Sequence, residues 1–300
     1  MNNIKKINFI YKFELFILFL IFLIFKGNKK NNNEIKVCLC TIGKFENNYI
    51  IEFVSHYFNY GVDKIFLYDN NDINGEIFDN ILYNFIKISF IKIINYRGQK
   101  RKQLEIFEKC YKENSNSYDW LIFYDIDEFI NLKDYSNIKD FLKQKKFNKC
   151  QSIYLNWVLH TDNNLLYYDN RTLYRRFPEV YINKDFCRGK TIIKGNLTNI
   201  TIQSTHTLDN TIGRCNGFGK RITTLGINCR KSDNKYNYID HFHTKSTEEF
   251  INKINKGDAV FGEDKNNTYS RIKFYFGINK ITLEKINLIK QKTGLNYEIL

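Results

Sequence analysis

Apolar and polar positions follow one another along the chain with periods that switch between two and about 3.6, and the switches mark out its elements. Ile35–Thr41 alternates and ends at a polar turn, which predicts a first strand. Asn47–Tyr60 carries Ile50, Ile51, Phe53, Val54, Tyr57 and Phe58 at helical spacing, and Gly61 supplies the stop. Lys64–Tyr68 reads as a second, buried strand closed by the turn-rich run Asp69–Gly75. An amphipathic segment over Ile77–Phe85, a third strand over Ile88–Asn95 and a helix over Lys100–Lys112 lead to a fourth strand, Trp120–Tyr124. Repetition of this kind builds a parallel sheet with right-handed crossovers. Past Asn148 strands outnumber helices: Gln151–Leu159, Leu173–Phe177, Lys190–Ile193 and Ile200–Ile202. Ser246-Thr247-Glu248-Glu249 is a capping box opening a helix with Phe250, Ile251 and Ile254 on one face, and Thr282–Lys292 gives a last helix. The pattern describes one α/β domain in two parts, residues 35–148 and 149–300.

The fourth strand ends in Asp125-Ile126-Asp127-Glu128. Carboxylates beyond the carboxyl edge of an open α/β sheet sit where such sheets bind ligands. Three acids this close repel one another and raise their own pKa values unless a cation relieves them. A hard divalent ion held by one or two carboxylates, with phosphate oxygens completing its shell, is the usual solution. Asp125 and Asp127 would point to opposite sides of an extended backbone, so a turn is needed to reorient them. The bland reading is a solvated acidic turn capping a strand. The matching elements on both sides favour a metal-dependent enzyme acting on a phosphorylated substrate.

Composition changes this picture little. One proline in 300 residues, with frequent Asn, Ile and Lys, fits an A+T-rich coding bias, so the net charge of +14 is discounted as a sign of nucleic-acid binding. A basic cleft would still suit an anionic sugar nucleotide. The seven cysteines show no CxxC pair. Cys38 and Cys40 read as small buried strand residues, and a bond from Cys187 to Cys215 or Cys229 is the pairing considered for an oxidising lumen. Ile7–Phe25 is apolar except for Asn8, Lys12 and Glu14, and Lys26-Gly27-Asn28-Lys29-Lys30 follows without a small-x-small cleavage site. Residues 1–27 therefore read as an uncleaved signal anchor in a membrane and 28–34 as a stem. Asn-x-Ser/Thr sequons at Asn170, Asn196, Asn199 and Asn266 are compatible with a lumenal, Golgi- or ER-like domain.

Several short runs in a fixed order then carry a resemblance: Cys40–Asn47, Ile51–Tyr57, Gly61–Asn70, the Asp125–Ile130 block, Gly189–Ile193 followed by His206, and Asp240–Ser246. Over about residues 36–258 the chain resembles GT-A glycosyltransferases, and most the family-92-like (DUF23-type) group and its family-2 relatives. The resemblance implies a GT-A-like, Rossmann-type, mostly parallel sheet with an acceptor-side α+β portion. It implies transfer of a sugar from a nucleotide-sugar donor, often UDP-linked, to a glycan or glycoprotein acceptor, with Mn²⁺ or Mg²⁺ bridging the diphosphate. On that scheme Asp127 is the metal ligand, Asp125 contacts the ribose or donor sugar, Asp69 lies near the nucleotide base, and Arg101 and Gln103 face the donor. His241 is the additional metal ligand, with His243 as the alternative. The chain departs from the family in Asn71-Asp72-Ile73-Asn74 after the second strand, and the glycine-containing loop after Trp157 is not clear.

Among the remaining histidines His56 reads as structural, His160 as undecided, and His206 as a partly buried ring on the acceptor side. An inverting mechanism, implied by the resemblance, needs a carboxylate base near the acceptor hydroxyl. Glu179, Asp185 and Asp209 lie in the acceptor half, and nothing chooses among them. Two rivals stand beside this reading. One is an Asp-x-Asp phosphatase of the haloacid-dehalogenase type, whose motif opens the domain and continues Gly-Thr rather than Glu-Phe-Ile. The other is a membrane-anchored binding protein with an inactive GT-A-like fold.

Overall fold

The structure, a computed structural model, describes residues 34–181, 188–198, 200–202, 204–206, 213–222, 237–256 and 265–294. The anchor over 1–27 and nearly all of the stem over 28–34 fall outside them, and among the described residues no helix is long and apolar enough to cross a membrane.

The described part of Ile35–Leu300 is built on one nine-stranded sheet. Its first half is the expected alternation: β1 (Val37–Gly43), α1 (Ile50–Asn59), β2 (Lys64–Asp69), α2 (Tyr83–Lys87), β3 (Ile91–Asn95), α3 (Gln103–Asn114) and β4 (Trp120–Phe123). These strands lie parallel in the order β3-β2-β1-β4, so β1 is flanked by β2 on one side and β4 on the other. That reversal of direction opens a crevice at the carboxyl edge, the usual ligand position of such sheets. Val37 to Cys40, Leu67 and Leu121–Ile122 are fully buried, as both faces of a parallel sheet are covered.

β5 (Glu128–Leu132) follows β4 after a turn, then α4 (Ile138–Leu142), β6 (Ser152–Leu159), α5 (Leu173–Arg176), β7 (Gly189–Lys194), β8 (Arg214–Asn216) and β9 (Asn237–His241). β6 changes partner along its length. Ser152–Asn156 pairs antiparallel with β7, and Trp157–Leu159 pairs parallel with β9. β7 joins this half antiparallel to β4, while β5 closes it antiparallel to β9 with Glu128 opposite His241. Gly189 is required at the first crossing, because a Cβ there would lie 2.0 Å from the Leu155 carbonyl oxygen. The helices α6 (Thr247–Asn255), α7 (Lys265–Ile278) and α8 (Leu283–Thr293) pack on one another through Phe250, Ile254, Ile272, Tyr275, Leu288 and Ile289, with the Phe250 and Tyr275 rings stacked at 4.3 Å. Ser246 and Glu249 form the predicted capping box.

Four expectations change. Leu173–Phe177 is one helical turn rather than a strand, because the Glu52 carboxylate accepts the Leu173 amide and Arg176 turns inward onto Glu249. Ile200–Ile202 is not a strand, and the amphipathic run from Ile77 is helical only over Tyr83–Lys87. Cys40 is not merely a small core residue: it is disulfide-bonded to Cys110, tying β1 to α3, and Cys150 is bonded to Cys215. Cys38 is free and buried, while Cys187 and Cys229 lie outside the described residues.

His56 is structural, as expected: its Nε2 contacts the Ile130 carbonyl at 2.9 Å, and its ring packs edge-on against Phe129. Burial holds its pKa down at about 4. The folded state therefore keeps the ring neutral while the unfolded chain takes up a proton near pH 6.5. Its contribution to stability is complete above pH 6.5 and is lost as the pH falls toward 4, to a limit of roughly 3 kcal/mol. In urea denaturation between pH 7.5 and pH 4.5, the His56→Gln variant is expected to show a flatter loss of stability than wild type. Parallel profiles would assign the acid sensitivity to other groups.

Candidate active site

The turn between β4 and β5 reorients the two aspartates but gives each its own partners, while each still feels the other's charge. Asp125 keeps about a third of its side chain exposed. Its Oδ1 accepts from Gln103 Nε2 at 2.8 Å, at the start of α3, and its Oδ2 accepts from Lys190 Nζ at 2.7 Å, on β7. Burial raises the Asp125 carboxyl, but the charge and hydrogen bond of Lys190, with the charge of His241, together outweigh it and leave the group below its ordinary value. Glu128 lies fully buried behind this pair. One oxygen accepts the Asp125 amide at 3.0 Å, fixing the turn, and the other stands 3.6 Å from Lys190 without a hydrogen-bond partner among the described residues. Burial and the two neighbouring aspartates push Glu128 well above the usual carboxylate range. Lys190, with no exposed side-chain surface, thus stands over two acids.

Asp127 meets a different set of second-half residues. Its Oδ2 accepts from Lys253 Nζ at 2.6 Å on α6 and lies 3.6 Å from Lys245 Nζ, while Oδ1 lies 3.4 Å from His241 Nε2. The Phe242 amide donates to the Asp127 carbonyl at 2.9 Å and locks the turn to the end of β9. Burial works against the Asp127 charge, but Lys253, Lys245 and His241 hold it well below its ordinary value. Burial lowers both His241 and His243, so both imidazoles are held neutral, the form that binds metal. Asp127, His241 and His243 offer one ligand atom each, all within 4.8 Å of one another. His241 Nδ1 has no hydrogen-bond partner among the described residues, and the ring lies 4.2 Å from that of Trp157. A carboxylate and two imidazoles form a donor set that suits a first-row divalent ion, so these residues fit one once Lys253 is accounted for.

The other predicted positions divide. Asp69 is buried at the carboxyl end of β2, bonded to Arg97 at 2.7 Å and to the Asn71 side chain and amide. Arg97 also donates to the carbonyls of Asp72, Ile73, Gly75 and Glu76, so the segment that departs from the family pattern is wrapped around one guanidinium. Gln103 reaches the acids. Arg101 does not: it is exposed in a left-handed turn (φ 57°) before α3. Glu179 is exposed, with its carbonyl accepting the Thr161 amide. Asp185 and Asp209 lie outside the described residues. His160 is a buried bridge from Asp240 Oδ1 (2.8 Å) to the Phe177 carbonyl (2.6 Å), stacked on Phe242. His206 sits 5.0 Å from the Trp157 ring.

The lysines are what sequence reasoning missed. Lys190 stood out only as part of a motif, and Lys245 and Lys253 had no assigned role. Together they supply the positive charge that the acid cluster demands, a demand the sequence argument assigned wholly to a divalent ion.

An acid turn at the switch point of a mostly parallel sheet, faced by basic and imidazole groups, is a site suited to an anionic ligand. The sequence pattern of glycosyltransferase family 92 matches residues 33–273, and the chain belongs to that family. Among solved structures, a mannosyltransferase from Pyrobaculum calidifontis, PcManGT, in complex with GDP-Man and Mn²⁺, aligns with a TM-score of 0.32 at 7% identity, over 47% of this chain and 42% of its own. TarS of S. aureus aligns with a TM-score of 0.38 at 11% identity, over 86% of this chain and 49% of its own. The chain thus spans less than half the length of either. No curated protein matches it.

Proposed function

We propose that the protein transfers a sugar from a nucleotide diphosphate donor, UDP-linked in the first instance, to a glycan or glycoprotein acceptor, with inversion and with Mn²⁺ or Mg²⁺ bound at Asp127. The observation that carries this is the convergence of Asp127, His241 and His243 at the sheet's switch point. A divalent ion held there would neutralise charge developing on the departing diphosphate. Asp125, fixed by Gln103 and Lys190, presents its carboxylate to a hydroxyl of the donor sugar or ribose. Asp69 and Arg97 form the base end of the donor site. Glu179, Asp185 and Asp209 stay the candidates for the base.

Residues 1–27 anchor the domain in a membrane, with the catalytic part in an oxidising lumen. The Cys40–Cys110 and Cys150–Cys215 bonds and the exposed sequons at Asn170 and Asn196 support that placement. The test is calorimetric titration of UDP into the full chain, with Mn²⁺ and with EDTA. Binding that needs Mn²⁺ is expected. Equal binding in EDTA would remove the metal from the reading, and binding of GDP in place of UDP would change the donor.

A further inference from the structure

Lys253 occupies a place that the metal reading also needs. Its ammonium lies 2.6 Å from Asp127 Oδ2 and 3.3 Å from His243 Nδ1, and it donates to the His243 carbonyl at 3.1 Å. Two of the three residues that offer ligand atoms therefore already hold a cation. A divalent ion and an ammonium cannot share that position, since like charges at hydrogen-bond distance in a largely buried site repel strongly.

The two lysines at Asp127 are not equivalent. Lys245 is 5% exposed, with its Nζ 4.3 Å over the Tyr49 ring, and it stands 3.6 Å from the carboxylate. It is fixed from several sides. Lys253 has 20% of its side chain exposed and grips the carboxylate directly. Its backbone is held in place: α6 starts at the capping box, is buried through Phe250 and Ile254, and takes a bond from Arg271 to the Lys253 carbonyl at 3.0 Å. Only the flexible side chain is free to leave.

We propose that Lys253 is the resident cation of the donor site: its ammonium holds the Asp127–His243 position in the free enzyme, yields it to the divalent ion, and moves onto the donor's diphosphate. The inference rests on the metal reading given above and adds a coupling between the two ligands. Without a diphosphate, the incoming ion must strip an ammonium of its counter-charge. With a diphosphate present, the displaced ammonium gains a new anionic partner, so nucleotide and metal each tighten the other's binding, and reciprocally so. A lysine suits this role because it is a compact charge on a long flexible stem.

The test is a titration of Mn²⁺ into the full chain, following the free ion by its EPR signal, with and without UDP. Wild type, Lys253→Met, Lys253→Gln and Asp127→Asn are compared, with a thermal melt of each as the folding control. Lys253→Met and Lys253→Gln are expected to bind Mn²⁺ alone about tenfold more tightly than wild type, and to lose most of the tightening that UDP confers. Two lysine variants guard against one that fails to fold. If both bind Mn²⁺ no better than wild type while Asp127→Asn weakens it, the displacement idea is wrong and the metal site stands. If no folded form binds Mn²⁺, with or without UDP, the metal reading fails and the displacement falls with it.

Discussion

Replacing Asp127 with Asn is expected to lower sugar transfer by about 10²–10³-fold or more, the usual cost of removing one group that stabilises developing charge in a closed site. The carboxylate sits where three functions meet. It offers a ligand atom beside His241 and His243, it is the counter-charge of Lys253 and Lys245, and its carbonyl receives the Phe242 amide. Asn keeps the shape and leaves the backbone bond intact, whereas Ala would also leave a void beside two ammonium groups. Mn²⁺ binding should fall with activity, and the melting temperature should fall too, because Lys245 and Lys253 lose their counter-charge, while circular dichroism below the melt keeps its native form. Normal turnover by Asp127→Asn in Mn²⁺ would remove Asp127 from the donor site. Full activity in EDTA for wild type would instead leave Asp127 as an anchor for lysines.

Lys190→Met is expected to act on stability before chemistry. The ammonium is wholly buried, 2.7 Å from Asp125 and 3.6 Å from Glu128, and its own pKa is raised because these acids outweigh its burial. Removing one partner of a buried ion cluster leaves the other charges uncompensated and typically costs about 3–5 kcal/mol. In a domain of this size that is a fall in melting temperature on the order of 10 °C. The loss should be partly recovered in the double variant Lys190→Met with Asp125→Asn, which removes the hydrogen-bonded carboxylate together with its cation. A single variant as stable as wild type would mean that Asp125 and Glu128 are neutralised from elsewhere.

The donor-side half was legible because its order is local. β1, α1, β2, β3, α3 and β4 each carry their own periodicity, and a parallel sheet follows from their alternation. The acid motif was legible for the same reason, since an abrupt end to an apolar run is a signal within a few residues. β5 and β9 were missed because each is defined by the other. Glu128–Leu132 begins with a charge and Asn237–His241 ends with two titratable groups, and only their long-range pairing makes them strands. Leu173–Phe177 has strand-like residues, but tertiary contacts from Glu52 and Glu249 override that propensity.

Lys253 was the hardest to see. Glu249 and Lys253 are spaced i, i+4 on one helix, which reads as an ordinary surface pair. In the fold Glu249 is taken by Arg176, Tyr49 and Ser246, and Lys253 is left for Asp127.

The origin of the charges in the cleft has a consequence for how the chain came to be one unit. All three carboxylates, Asp125, Asp127 and Glu128, precede residue 148, and the three lysines and two histidines that face them all follow it. Each half alone would present a concentrated charge of one sign to an interior that cannot solvate it. The active site is therefore also the fastening between the halves, closed by neutralisation as much as by packing. A sequence change that tunes the chemistry at this edge will be felt first as a change in how firmly the two halves hold together.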